Sequence, residues 1–174
     1  MDKNFWLQKW EKNEIAFHGS DTNPALVKHI KELSLVNGGR VFILLCGKTL
    51  DIAWLLSKGY RVAGAELSKK AIEELFAGLN AKPKISASGE VSHYSAKNVD
   101  IFVGNIFDVS GKILGPVDAV YDRAALVALP EEMRPRYAQH LIKITNQSPQ
   151  LLITYEYDQT LQEGPPFSVS NVEV

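Results

Sequence analysis

Glu66 stands at the end of a short apolar run, Arg61-Val62-Ala63-Gly64-Ala65. It follows Gly47 at the distance of about 20 positions at which a carboxylate grips the hydroxyls of a ribose. The turn at Gly47 has its own chemistry. A dinucleotide turn needs several glycines, so that the backbone can approach a pyrophosphate and a helix N-terminus can face its charge. Here the turn is Cys46-Gly47-Lys48-Thr49, with one glycine. Gly47-Lys48-Thr49 resembles the tail of a phosphate-binding loop, but Arg40 and Val41 lie upstream where the earlier glycine belongs. A ribose carrying no phosphate describes S-adenosylmethionine. On these residues alone, a second reading stays open: an ordinary doubly wound domain with Glu66 as a solvated strand end.

Other stretches could do chemistry. Asp122-Arg123 closes the apolar run Val117–Tyr121, and buried strands seldom end in charge unless the charges have partners. Either the two pair with each other or a helix end, or both stand at a pocket mouth beside the reacting atoms. Asn105-Ile106-Phe107-Asp108 follows the short strand Ile101-Phe102-Val103. Ligands sit outside the carboxyl ends of parallel strands, so Asn105 and Ile106 are placed to offer an adenine ring an apolar face and polar partners. Trp6 and Trp10, four apart, share a helix face. They form either a core stripe or a lid over a ligand, with Phe17-His18 on the loop that follows. A sulfonium cation would gain on the order of 1 kcal/mol from such rings. Cys46 is read as a packing residue, and His29 as a surface or half-buried residue of its helix.

The positioning elements follow from periodicity. Val41–Leu45 is too short for a helix with a polar face and suits a parallel strand buried on both sides. An amphipathic helix runs from Lys48 or Thr49 to Lys58, and Gly59 closes it. A strand from Arg61 to Glu66 completes the opening unit of a doubly wound nucleotide-binding sheet. Helices are predicted over 4–14, from Pro24 behind its cap Asn23 to about Val36, from Ser68 to about Leu79, and from Pro130 to about Thr145. In the last of these Pro135 falls past the first turn, where it would cost a hydrogen bond and kink the helix unless the helix starts later. Leu151–Tyr155 is a fifth strand. Residues 84–94 are either a hairpin insertion or a wet loop. Ser170-Asn171-Val172-Glu173 has the form of a capping box, which signals a helix about to begin.

At 174 residues and 45% apolar content, one domain over 1–174 is expected, with 1–20 as its N-terminal lid segment. Nineteen basic against twenty acidic residues give no field that would draw in nucleic acid or anionic membrane. A single cysteine excludes an internal disulfide and a cysteine-based metal cluster, and no metal site is expected. There is no apolar signal core and no run of membrane-spanning length, so a cytoplasmic protein is expected; a monomer is the expected state.

Taken in order, Trp10, Phe17-His18, Leu44-Leu45-Cys46-Gly47-Lys48, Asp51, Gly64-Ala65-Glu66-Leu67-Ser68, Tyr121-Asp122-Arg123-Ala124-Ala125-Leu126-Val127-Ala128 and Gly164-Pro165-Pro166-Phe167-Ser168 resemble the bacterial thiopurine S-methyltransferases. The likeness runs along essentially the whole chain. It implies a Rossmann-like α/β fold: a class I S-adenosylmethionine-dependent methyltransferase sheet with helices on both faces. The family's last helix and C-terminal antiparallel hairpin lie beyond the point where this sequence stops, which agrees with the dangling capping box, and C-terminal truncation is the expectation. The resemblance also implies that Trp10, Leu45, Glu66 and Arg123 contact S-adenosylmethionine (product S-adenosylhomocysteine), with Asn105 and Ile106 at the adenine. It places Phe17 against cofactor or substrate and Arg123 near the acceptor sulfur. The implied acceptors are small aromatic and heterocyclic thiols such as thiopurines, with selenium and tellurium oxyanions linked to bacterial members. Methyl transfer from a sulfonium is an in-line displacement that asks mainly for alignment and a dry pocket. Arg123 would stabilise the thiolate, and Asp122 would orient it or take the substrate proton. The rival functions are a cofactor-binding remnant without activity and, disfavoured by the missing glycines, an NAD-dependent oxidoreductase.

Overall fold

A computed structural model describes residues 3–174; residues 1 and 2 of the expected lid segment lie outside the described residues. Five strands run parallel: β1 (Arg40–Leu44), β2 (Arg61–Glu66), β5 (Val99–Val103), β6 (Ala119–Arg123) and β7 (Gln150–Ile153). β3 (Lys84–Ser88) and β4 (Val91–Ala96) are antiparallel, and the sheet order is β3-β4-β5-β2-β1-β6-β7. The 84–94 stretch is therefore a hairpin that widens the sheet beside β5. Its outer strand is exposed almost throughout, which is why its alternation is weak in sequence. On the other side the sheet ends at β7.

Side chains alternate between two cores, as the pleat requires. Val41 and Ile43 point to one face with Leu26 and Ile30, Ile52 and Leu55, and Ile72, Leu75 and Phe76. These come from α2 (Pro24–His29) and the turn after it, α3 (Leu50–Ser57) and α4 (Lys69–Gly78). Phe42 and Leu44 point to the other, with Leu114, Tyr137, Leu141 and Ile144 from α5 (Gly111–Leu114) and α6 (Arg134–Thr145). Helices thus cover both faces, and buried strands read as continuous apolar runs for that reason.

Local chemistry sets the boundaries. The Asn23 side chain accepts the Ala25 N–H, and Pro24 occupies the first turn of α2. That helix tightens to a 3-10 turn over Ile30–Leu33, short of the predicted end. Thr49 and Ser68 cap α3 and α4. The longest helix, α6, begins at Arg134, so Pro135 sits in its first turn and costs no hydrogen bond. β6 extends two residues past the expected Tyr121, so Asp122 and Arg123 belong to the strand itself. The Ser170–Glu173 segment forms a turn, with the Glu173 N–H donating to the Ser170 carbonyl at 3.1 Å. The Glu173 carboxylate does not reach back as a capping box would; it accepts from Arg134 at 2.7 and 2.9 Å.

Candidate active site

Above the carboxyl ends of β1, β2 and β6 lies a cavity of about 650 Å³, within the range of small-molecule sites. Four pieces of chain enclose it. Below are the strand ends, with Ile43, Leu45, Glu66, Tyr121 and Arg123. The turn Cys46–Thr49 forms one wall, and α1 (Lys3–Glu11) with the loop after it forms another, carrying Phe5, Trp6, Trp10, Phe17 and His18. The fourth is the strap Gly164–Pro166, with Tyr155 beside it.

Glu66 is buried in the floor, 6% exposed. One carboxylate oxygen accepts the Gly47 N–H at 2.7 Å and the other the Ser68 N–H at 2.8 Å. Burial pushes its carboxyl above the usual carboxylate range, against the pull of those N–H donors. Each carboxylate oxygen keeps a lone pair for a hydroxyl donor. The same bonds bear on phosphate. In the turn, the Cys46 N–H goes to the Ala65 carbonyl, the Gly47 N–H to Glu66 and the Thr49 N–H to the Cys46 carbonyl. A pyrophosphate cradle needs such groups unengaged and no carboxylate beside them. Glycine at 47 is required twice over: φ is +50°, and a Cβ would lie 2.8 Å from Cζ2 of Trp10.

Trp10 closes over that turn, 5% exposed, and its ring meets Phe17 edge-on at 5.6 Å. Trp6 also meets Phe17 edge-on at 5.6 Å, and Phe5 continues the row. Lys70 of α4 holds the end of α1 by donating to the Glu11 carbonyl at 3.2 Å. Trp10 thus packs as core, and the row it belongs to walls the cavity, the position a lid over a ligand would need.

The backbone leaves β1 and β6 with positive φ at Leu45 (+44°) and Ala124 (+65°), both in the cavity wall. Non-glycine residues in that region are strained by about 1–3 kcal/mol and gather at functional sites. Arg123 lines the cavity, and its Nε is buried without a hydrogen-bond partner. Tyr121 donates to Asp51 at 3.0 Å; burial and that carboxylate push its hydroxyl well up, so it stays protonated. Cys46 is raised well above the ordinary thiol value by burial and then by Glu66, which keeps it a neutral packing group.

Trp10, Phe17, Leu45, Glu66 and Arg123 are brought together by the structure, whereas Asp122, Asn105 and Ile106 are not among the described residues lining the cavity. Pleat alternation explains Asp122: with Tyr121 and Arg123 toward the cavity side, it points into the opposite core. There it accepts from the Tyr137 hydroxyl at 2.8 Å and the Leu126 N–H at 3.1 Å, and burial raises its carboxyl despite them. The alternative of a buried acid held by structural partners is the one this geometry favours, with Tyr137 and a backbone N–H in place of Arg123. The Asn105 side chain accepts the Phe107 N–H at 3.3 Å, and Ile106 is 4% exposed in the second core. Sequence reasoning missed Lys48, Asp51, Tyr121, Tyr155 and the strap as site residues. The strap is tied down by the Phe167 N–H on the Val127 carbonyl at 2.7 Å, a long-range contact with no periodic signature. Among the described residues no cluster of acids, histidines or cysteine is placed to hold a metal ion, and no helix is long and apolar enough to cross a membrane.

Known proteins of this kind carry the same architecture. A methyltransferase from Anabaena variabilis described as S-adenosylmethionine-dependent superposes with a TM-score of 0.62 at 18% identity, over 88% of this chain and 62% of that one. The 1,6-didemethyltoxoflavin-N1-methyltransferase of Burkholderia thailandensis, with 1,6-didemethyltoxoflavin and S-adenosylhomocysteine bound, gives 0.64 at 13% identity, over 90% and 62%. At such identities the likeness shows the fold. Sequence similarity goes further. The thiopurine S-methyltransferase of Xanthobacter autotrophicus is 55% identical over 97% of this chain and 80% of its own length. That of Teredinibacter turnerae is 53% identical over 97% and 78%. The thiopurine S-methyltransferase family matches residues 1–174, and on that match, with relatives more than half identical, the chain belongs to it.

Proposed function

We propose that the chain transfers the methyl group of S-adenosylmethionine to the sulfur of a small aromatic or heterocyclic thiol, with thiopurines as the reference acceptors. The observation that carries this reading is the buried Glu66 carboxylate in the cavity floor, beside a turn whose Cys46, Gly47 and Thr49 N–H groups are already engaged inside the protein. That arrangement suits a ribose and repels a phosphate. When bound, the cofactor supplies an electrophilic methyl on a sulfonium.

In this reading Glu66 accepts hydrogen bonds from the ribose hydroxyls, and Leu45 and Trp10 frame the sugar and the thioether end. Asn105 and Ile106 stand one strand over, where the Gly104 N–H joins the Glu66 carbonyl at 2.9 Å; they are next in line for the base. The row Trp6, Phe17 and Trp10 keeps water out and offers ring faces to a cation. Arg123 holds the acceptor as its thiolate, since a cation within a few ångströms favours the charged form of an acid. Phe17 packs against the acceptor ring, and Asp122 takes no part beyond fixing β6. The reading has the protein act on small molecules, as a monomer, in the cytoplasm.

Methylation of 6-mercaptopurine in the presence of S-adenosylmethionine tests the activity, and calorimetric titration tests the cofactor. S-Adenosylhomocysteine should bind and NAD should not. Tight binding of NAD alone would favour the oxidoreductase, and S-adenosylhomocysteine binding without methylation of any thiol would favour the inactive remnant.

A further inference from the structure

Three of the four histidines have ring partners: His29 on Glu32 at 2.7 Å, His93 on Asp100 at 2.8 Å and His140 on the Ile106 carbonyl at 2.9 Å. The fourth, His18, lines the cavity and makes no ring hydrogen bond to another described residue; only its backbone N–H is engaged, on Ile15. Its loop lies beside Arg123, since a Cβ on Gly19 would sit 4.0 Å from Nη2 of that arginine. The charges that act on it are Lys48 of the glycine turn, Arg123 at the end of β6 and Glu74 of α4, with Lys48 and Glu74 paired to each other at 2.6 Å. The acids of the cavity have partners other than His18: Glu14 has Lys9 at 2.7 Å, Asp51 the Tyr121 hydroxyl and the Asn23 N–H, and Glu66 two N–H groups. Burial, then Lys48 and Arg123, hold the His18 imidazole below its ordinary value, so it is neutral near pH 7 and has a lone pair to offer.

We propose that His18 is the proton acceptor for thiols that reach the site un-ionised. The inference rests on the methyltransferase reading above. His18 takes the S–H proton while the sulfur's electron pair forms the new S–CH3 bond and the donor's C–S bond breaks. The products are the thioether, neutral S-adenosylhomocysteine and an imidazolium that returns its proton to solvent. Arg123 stabilises the negative charge on the sulfur of any acceptor, and His18 removes the proton from those that arrive un-ionised.

The test is a series of aromatic and benzylic thiols whose acidity straddles the assay pH, from nitrothiophenol to benzyl mercaptan, with the wild type and His18→Gln. For the ionised members His18→Gln should lose less than about threefold in kcat/KM; for benzyl mercaptan the loss should be about 100-fold or more, the scale of a general base, with partial rescue by added imidazole. An equal loss across the series, or no loss, overturns the proposal. Titration with S-adenosylhomocysteine separates the two levels: a wild type that binds none and methylates no thiol sinks the methyltransferase reading itself. Should His18→Gln fail to bind it, the wild-type pH profile with benzyl mercaptan decides. A base titrating below about 6.5 predicts a plateau above that pH, whereas a steady rise up to the thiol's own pKa overturns the role.

Discussion

The two rims of the parallel strands follow opposite rules. At the amino rim, Arg40 donates to the Leu114 and Pro116 carbonyls and pairs with Asp100 at 3.2 Å, while His93 and Ser95 reach the same acid at 2.8 Å. Burial would raise the Asp100 carboxyl, but the bonds from His93 and Ser95 and the charge of Arg40 outweigh it and hold it below the usual range. At the carboxyl rim both acids, Glu66 and Asp122, are raised by burial, Arg123 has a buried Nε with no partner, and the chain turns through positive φ at Leu45 and Ala124. One rim satisfies its polar groups and stabilises the fold; the other keeps them under tension, as sites that must receive a ligand do. Within the working rim the pleat divides the labour: Glu66 faces the cavity and Asp122 the core.

Substitutions can break this comparison at either rim. The largest effect is expected at Glu66→Ala, which should weaken S-adenosylhomocysteine binding by about 1.5–3 kcal/mol, the range for hydrogen bonds to a charged group; an unchanged dissociation constant by calorimetry would remove the ribose role. Arg123→Ala should lower turnover on a poorly acidic thiol by about tenfold or more, the cost of a one-unit shift in thiol ionisation, while cofactor affinity changes little. Equal losses in both quantities would make it a cofactor residue only. Tyr137→Phe leaves the buried Asp122 carboxylate short of a donor and should cost about 1–3 kcal/mol of stability in denaturant unfolding, with S-adenosylhomocysteine affinity intact. Lost affinity would return Asp122 to the site. The smallest effect is at the amino rim. Because the folded pKa of Asp100 is depressed, its contribution is present above about pH 4, the unfolded value, and is lost as pH falls through the folded one. The difference in Tm between wild type and Asp100→Asn should therefore be seen near neutrality and vanish in acid; a gap that persists at low pH would contradict the ion-pair account.

Much of the fold was legible in the chain. Val41–Leu45 and Arg61–Glu66 announce buried parallel strands by composition, and the distance of Glu66 from a lone glycine puts its carboxylate in the cavity floor, where the ribose proposal needs it. What failed, failed for physical reasons. The reading that sets Asp122 and Arg123 together at a pocket mouth overlooks that adjacent residues of a strand point to opposite faces; counted from Tyr121 they part, and the alternative of structural partners fits Asp122. The hairpin over 84–96 resists reading because an exposed outer strand has no core to impose alternation. Tyr155 and the Gly164–Pro166 strap enter the cavity through tertiary contacts, such as the Phe167 N–H on Val127, that no local pattern encodes. The lone ring of His18 becomes visible only when the other three histidines are seen to be partnered.

The central claim is that the working rim receives a ribose on Glu66 and nothing on Asp122. A crystal structure with S-adenosylhomocysteine bound tests it most directly. The account predicts both ribose hydroxyls within hydrogen-bonding distance, about 2.5–3.0 Å, of the Glu66 carboxylate, with the sulfur directed toward Arg123 and His18. A ribose seated elsewhere, with Glu66 still bonded only to Gly47 and Ser68, would contradict it.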